Sequence, residues 1–430
     1  MALPPGPREP APLQLAGWLN RHIPFMERCR ERYGETFTLR FTGVGTLVFV
    51  TDPASTRALF STDREHSLPD GRDVLLEPIL GERSVLLLEG AEHMRRRKLM
   101  LPPFHGERMR AYERTIADAV AAEVSRWPRG TAFPIRGRMQ AITLDVILRA
   151  VFGVGDGARH EELRRGLSRV LGVARRPAAQ ALGLATRPLG RRGPYGYFQE
   201  LLDTTDALLA AEIAERRRDP RLDEREDVLS LLVGARFEDG SAMNDRELRD
   251  QLMTLLVAGH ETTATALAWA FDMLLHDEAA LARAREAATG GEDRYLDAVG
   301  EEAQRLRPVI TSVGRRLGAP GVYGGNELPP GTSVMTSTYL LHTRSDVYPE
   351  PYAFRPERFG GKRPETYAWL PFGGGIRRCI GAAFAQLEMR VVLREVLARV
   401  DLRAASPERE LPFLSGITLV PRGGTLVTVA

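Results

Sequence analysis

Between Asn244 and His276 a helical pattern runs for about 30 residues, roughly 45 Å of helix, enough to cross a whole domain. Asn244, with Glu247 three residues later, has the form of a capping box and marks the start. Leu252 to Ala258 is apolar on every side, so the helix is expected to be central and buried, with the rest of the chain packed around it. Into this helix the sequence puts Ala258-Gly259-His260-Glu261-Thr262-Thr263, then Thr265. Gly and Thr form helices poorly, and an acid in the most apolar helix conflicts with local propensity. Gly259 would let a flat ligand approach the backbone, Thr262 can bond back to a carbonyl and distort the helix, and Glu261 can relay protons. On this segment alone the alternative is a kinked core helix whose polar groups are satisfied. A zinc-protease reading fails, because His260-Glu261 would need a second His where Ala264 stands.

The remaining pattern is mainly helical, with a few short β signals and no fixed-period repeat. Phe37 to Phe41 and Leu47 to Val50 read as a hairpin. Helices are expected around residues 53–61, 91–100, 107–127, 138–152, 160–173, 196–217, 295–306 and 381–400, with a last hairpin over Gly416 to Ala430. The proline- and arginine-rich stretch 172–194 reads as a mobile surface connection. Residues 1–20 read as an extended N-terminal arm, since the opening prolines suit neither a helix nor a signal peptide. Residues 21–430 show no linker and are expected to form a single domain.

Charge and cysteine content narrow the classes further. Lys+Arg 59 against Asp+Glu 56 gives only +3, too slight a bias to imply a nucleic-acid partner. No run reaches the ~18 apolar residues of a membrane-spanning helix, so no membrane anchor is expected. Two cysteines, Cys29 and Cys379, exclude a disulfide framework and fit a reducing cytoplasm.

Cys379 lies in Phe372-Gly373-Gly374-Gly375-Ile376-Arg377-Arg378-Cys379-Ile380-Gly381, directly before a helix. A helix N-terminus and neighbouring arginines stabilise a thiolate, which makes this cysteine an anionic donor. Without paired Cys or His spacing, tetrahedral zinc lacks its other ligands. A single thiolate suits haem, to which it lends electron density that favours oxygen–oxygen cleavage. The bland alternative is a buried Cys in a glycine turn.

Phe372, Gly375, Arg377, Cys379 and Gly381 have the spacing of the haem-binding loop of the cytochrome P-450 superfamily, and the chain resembles its soluble bacterial members. Glu302-Ala303-Gln304-Arg305 resembles the family's Glu-x-x-Arg helix, and Phe354-Arg355-Pro356-Glu357-Arg358-Phe359 the segment that adds a second arginine. The resemblance implies one large haem-thiolate monooxygenase fold, mainly α with small β-sheets, with the long helix over haem b. It implies that Cys379 ligates the iron and that Glu261 and Thr262 form an acid–alcohol pair. It further implies a structural network of Glu302, Arg305 and Arg358, and cofactor contacts from His93, Arg97, Arg315, Phe372 and Arg377. Thr254, Val257, Ala258, Val309, Val313 and Leu414 would line the substrate pocket.

The activity implied is insertion of one atom of dioxygen into a hydrophobic small molecule such as a fatty acid, terpenoid, steroid or polyketide. Electrons would come from an external ferredoxin and ferredoxin reductase, and the protein would be a cytoplasmic monomer. Arg95, Arg96 and Lys98, turned away from His93 and Arg97, would offer the ferredoxin a basic patch. His276 and His342 match no family role and read as ordinary structural or surface histidines. Two alternatives remain, a peroxide-driven peroxygenase and a non-catalytic haem-thiolate ligand-binding protein. Retained Glu261 and Thr262 weigh against the first.

Overall fold

The capping box at the head of the long helix is formed in the computed structural model, which describes residues 3–62, 66–67, 72–106, 108–155, 157–174, 193–361 and 364–430. The backbone N–H of Asn244 donates to Glu247 Oε2 at 2.9 Å, and the N–H of Glu247 donates to Asn244 Oδ1 at 3.0 Å. The helix it starts, Asp245–Leu275, is 31 residues long. The other elements are mostly helices, with four small sheets among the described residues. Most of the connection expected over 172–194 lies outside the described residues; helices Ala158–Ala174 and Pro194–Arg218 flank it.

Within the region expected to form a single domain, the chain packs as two compact units. One is drawn from residues 1–73, 124–139 and 264–430, the other from residues 74–123 and 140–263, so the long helix contributes to both.

In the first unit, Thr36–Phe41 and Gly45–Val50 form the predicted hairpin, with Phe37 opposite Phe49 and their rings stacked at 5.6 Å. Gly45–Val50 continues parallel to Ser333–Ser337, which pairs antiparallel with Ser312–Arg316. Side chains alternate between the two faces of a strand. Phe37, Leu39, Leu47 and Phe49 therefore join a core with Met26, Tyr339 and Leu340, while Val48 and Val50 pack with Leu59, Leu317 and Val334 on the other face. Ser312–Arg316, at the edge of this sheet, carries buried Arg315.

The N-terminal arm is shorter than expected. Residues 3–10 carry no helix, and the carbonyls of Pro4 and Pro5 accept bonds from Thr38 Oγ1 at 2.7 Å and the Thr38 N–H at 2.9 Å. Ala11–Asn20 is a helix, because Pro12 falls in its first turn, where a missing N–H costs nothing. The last hairpin is also corrected. It lies over Pro412–Ser415 and Thr418–Pro421 around Gly416, whose φ of 60° allows the tight turn. Leu426–Val429 instead pairs with Leu402–Ala404 and Phe133–Pro134.

The second unit is helical. Its helices Ala158–Ala174 and Pro194–Arg218 pack together. Arg216, buried, donates to both oxygens of buried Asp227 at 2.5 Å and to the Phe152 carbonyl at 3.0 Å. Asp227 also accepts from the Ser230 N–H at 2.9 Å, which caps helix Val228–Gly234. A buried charge is tolerated only when paired in this way.

Candidate active site

Helix Asp293–Leu306 is buried along most of its length, and Glu302 and Arg305 have no exposed side-chain surface. Arg305 grips the Glu302 carboxylate with two bonds, Nε to Oε2 at 2.7 Å and Nη2 to Oε1 at 2.8 Å. Oε1 also accepts from the Arg355 N–H at 2.9 Å and from Arg358 Nε at 3.3 Å. The remaining donors of Arg305 reach the carbonyls of His342, Pro351 and Ala353 at 2.9, 2.6 and 3.0 Å. The expected triad is thus assembled, and it ties residues 342–358 to the helix through charge-assisted bonds.

His342 extends this network as a buried structural histidine, the first of the two readings its sequence allows. Its Nε2 accepts the Leu370 N–H at 2.6 Å, so the ring proton sits on Nδ1 and faces the Arg305 carbonyl at 3.2 Å. Burial, followed by the Arg305 charge, lowers its pKa from 6.5 to about 3 and keeps it neutral. Leu370 in turn leads into the cysteine loop. An aromatic path runs beside it, with Phe359 5.5 Å from Trp369 and Trp369 6.3 Å from Phe372 between ring centroids.

The loop closes where the Cys379 N–H donates to the Phe372 carbonyl at 2.9 Å. Gly373 and Gly375, at φ of 64° and 66°, take the left-handed conformation that a side chain would oppose. Helix Ala382–Arg399 begins just after Cys379, as the sequence predicts. Arg315, buried on its strand, donates to the Gly374 carbonyl at 3.4 Å and lies 4.9 Å from the Phe60 ring, against the same loop. Phe372 and Arg377 are half-buried and Cys379 is exposed. The buried-turn alternative for Cys379 therefore fails. The buried cysteine is Cys29, inside helix His22–Tyr33, where burial pushes its thiol up to about 11.

Among the described residues no three His, Cys, Asp or Glu side chains cluster to hold a metal ion. An exposed cysteine in such a loop would suit a group that brings its other donors with it and takes a thiolate from the protein, as haem does. Buried Arg315 and half-buried Arg377 beside the loop fit the carboxylates of such a group. Val309 and Val313, expected at the pocket, are half-buried and Leu414 is buried; Val313 packs in part against Phe60, Leu341 and Leu370.

In the second unit the apolar run of the long helix is buried over most of its length, as predicted. Leu252, Met253 and Leu256 are buried, but Ala258 is exposed, and Val257, Gly259, Glu261 and Thr262 are half-buried. Within the polar motif His260, Thr263 and Thr265 are buried. Thr262 Oγ1 donates to the Ala258 carbonyl at 2.5 Å, the back-bond expected from the sequence. Thr254 is buried, and its hydroxyl is engaged by the Asp250 carbonyl at 2.6 Å and Ser84 Oγ at 2.7 Å. Glu261 Oε2 accepts from Gln140 Nε2 at 2.9 Å, a contact no sequence motif announced.

His93 and Arg97 share one face of helix Gly90–Met100, His93 buried and Arg97 half-buried. The basic patch expected beside them is corrected. Arg96 is buried and paired with Glu247, because that face of the helix packs inward. Arg95 bonds Asp239 at 2.5 Å and lies 3.9 Å from the Phe237 ring; Lys98 bonds Glu238 at 2.7 Å.

A family model for cytochrome P-450 matches residues 4–428. The chain belongs to the cytochrome P-450 superfamily. It is 42% identical over 435 residues to a protein named cytochrome P-450 135B1 in Mycobacterium tuberculosis and Mycobacterium bovis, covering 100% of this chain and 92% of the relative. A Mycobacterium tuberculosis protein named cytochrome P-450 137 is 39% identical over 404 residues, 94% of this chain and 84% of its own. The solved structure of retinoic acid-bound cyanobacterial CYP120A1 has the same fold, at 23% identity, with a TM-score of 0.83 and full coverage of both chains. As a P-450 the protein is a monooxygenase that uses haem b, dioxygen, an organic substrate and a redox partner. Among the described residues, no helix of this P-450 is long and apolar enough to cross a membrane.

Proposed function

We propose that Cys379 is the axial thiolate of haem b in a cytoplasmic, monomeric monooxygenase that oxidises a hydrophobic small molecule with electrons from a ferredoxin and its reductase. The observation that carries this reading is the exposed Cys379 in its glycine loop, with the Phe372 carbonyl accepting its N–H and the chain just before the loop tied through Leu370 and His342 to the buried Glu302–Arg305 pair. When bound, haem supplies dioxygen activation: one oxygen atom enters the substrate and the other leaves as water, with two electrons and two protons consumed.

The chain's own residues hold and direct. In the first unit Arg315 and Arg377 would offer donors to haem propionates and Phe372 would shelter the thiolate; in the second, His93 and Arg97 would offer donors of the same kind. Glu261 and Thr262 carry protons inward from solvent, a role their half-buried positions on the long helix support. Half-buried Val309 and Val313 in the first unit would offer apolar surface to a substrate, as would Val257 and Ala258 in the second; Leu414 in the first and Thr254 in the second are buried. Fatty acids, terpenoids, steroids and polyketides share the chemistry such a surface selects.

A spectral binding screen of a lipid and natural-product library, followed by turnover with a surrogate ferredoxin and reductase, tests the reading. Compounds that shift the haem spectrum should give products one oxygen heavier, with the atom drawn from dioxygen. Turnover with hydrogen peroxide alone, or binding without turnover under either oxidant, would contradict it.

A further inference from the structure

Helix Ile135–Ala150 carries buried Met139, Ile142, Leu144 and Ile147, and among them two polar residues, Gln140 and Thr143, spaced i,i+3 on one face. They meet successive residues of the long helix. Gln140 Nε2 donates to Glu261 Oε2 at 2.9 Å. Thr143 Oγ1 lies 2.8 Å from His260 Nδ1 and 3.1 Å from the His260 carbonyl oxygen. With the ring N–H donating to the hydroxyl, the hydroxyl proton goes to the carbonyl, and the backbone just before Glu261 is clamped. Thr262, by contrast, turns its hydroxyl back to the Ala258 carbonyl at 2.5 Å.

We propose that Gln140 is a positioning residue for proton transfer, holding the Glu261 carboxylate in the orientation from which it collects a proton from solvent. The proposal rests on the reading that Glu261 and Thr262 carry protons. An amide suits this task, because it donates a directed bond without adding charge or a titration of its own. In each cycle a solvent proton binds a Glu261 oxygen, the proton passes inward to dioxygen under reduction, and the carboxylate returns to the Gln140 amide. The electrons come from the redox partner.

The test uses the holoenzyme without organic substrate, fed by a surrogate ferredoxin and reductase. Dioxygen then ends as hydrogen peroxide, taking two electrons and two protons, or as water, taking four of each. Gln140→Leu should raise the peroxide-to-water ratio by roughly three- to tenfold, part of the ~10²-fold or more that an acid–base group supplies. The solvent deuterium isotope effect on turnover should grow, with haem content and melting temperature at parental values. The infrared carboxylate band that Glu261→Gln removes should shift in Gln140→Leu, a readout independent of turnover. Gln140→Met, which keeps the length and loses the donor, replaces the Leu variant if that one does not fold.

In the double variant with Glu261→Gln, loss of Gln140 should add nothing. An effect of equal size in that background would mean that Gln140 acts through packing, and would overturn the proposal. An unchanged ratio and band in the Gln140 variants, while Glu261→Gln raises the ratio, would overturn it and leave the relay standing. If Glu261→Gln itself left the ratio unchanged, the relay reading would fall and the proposal with it.

Discussion

His342 shows how one buried side chain weakens the first unit in acid. Its folded pKa of about 3 lies below the 6.5 of an unfolded chain, so as pH falls from 6.5 toward 3 the unfolded state takes up a proton that the folded state refuses. Stability from this residue is complete above pH 6.5 and is lost through that window. His22, lowered to about 4 by burial, acts in the same direction. In His342→Ala the Leu370 N–H loses its acceptor, and the variant should be less stable at neutral pH by about 1–3 kcal/mol. Its further loss on acidification should be shallower than the parent's. Denaturant titrations at several pH values measure both; parallel pH profiles would contradict the assignment. Nothing in the sequence around His342 marks this role, because a histidine's partners are set by what tertiary packing brings to it. Cys379 differs, since the glycines that let its loop turn are adjacent in the chain.

At the scale of elements, the long helix was legible at its start and less so along its middle. Asn244 and Glu247 are local to each other, so the cap could be read directly, whereas which residues of Val257 to Thr262 are buried, as His260 is, depends on what neighbouring segments pack against them. Helix Glu278–Gly290 went unpredicted although its signals are present: Asp277 Oδ1 accepts from the Ala280 N–H at 3.0 Å, and Gly291 follows at φ 74°. Arg96 was misplaced as a surface cation because helical spacing cannot tell which of several basic residues meets a buried acid. Glu247 therefore serves two purposes, capping the helix and neutralising Arg96. Glu247→Gln keeps the reciprocal cap but removes the charge, and should cost about 3–5 kcal/mol by leaving Arg96 buried without its anion. Thermal unfolding of the Gln variant at the parent's temperature would show the pair to be dispensable. Glu302→Ala should cost a similar ~3–5 kcal/mol, by leaving Arg305 without its carboxylate and Arg358 short of one partner, and should lower haem retention.

Over the whole molecule, fold and family were legible because the cysteine loop, the Glu-x-x-Arg helix and the long-helix motif are each continuous in sequence. The division into two units was not, since each is assembled from distant stretches of chain. Electron delivery also belongs to this scale. With Arg95 and Lys98 paired to acids, the exposed cation next to the cysteine is Arg378. Complementary charge chiefly raises association rates and is weakened by salt. Arg378→Glu should slow reduction by an acidic ferredoxin at low ionic strength with haem content unchanged; parental rates together with salt-independent reduction would rule it out as a docking contact. All of this depends on the Cys379 thiolate, which the reduced, carbon monoxide-bound spectrum reports directly. The purified protein should give the thiolate-type absorption band, and Cys379→Ser should lose it because an alcohol is no comparable anionic sulfur donor. A thiolate-type band that persists in Cys379→Ser, or is missing from the parent, would contradict the account.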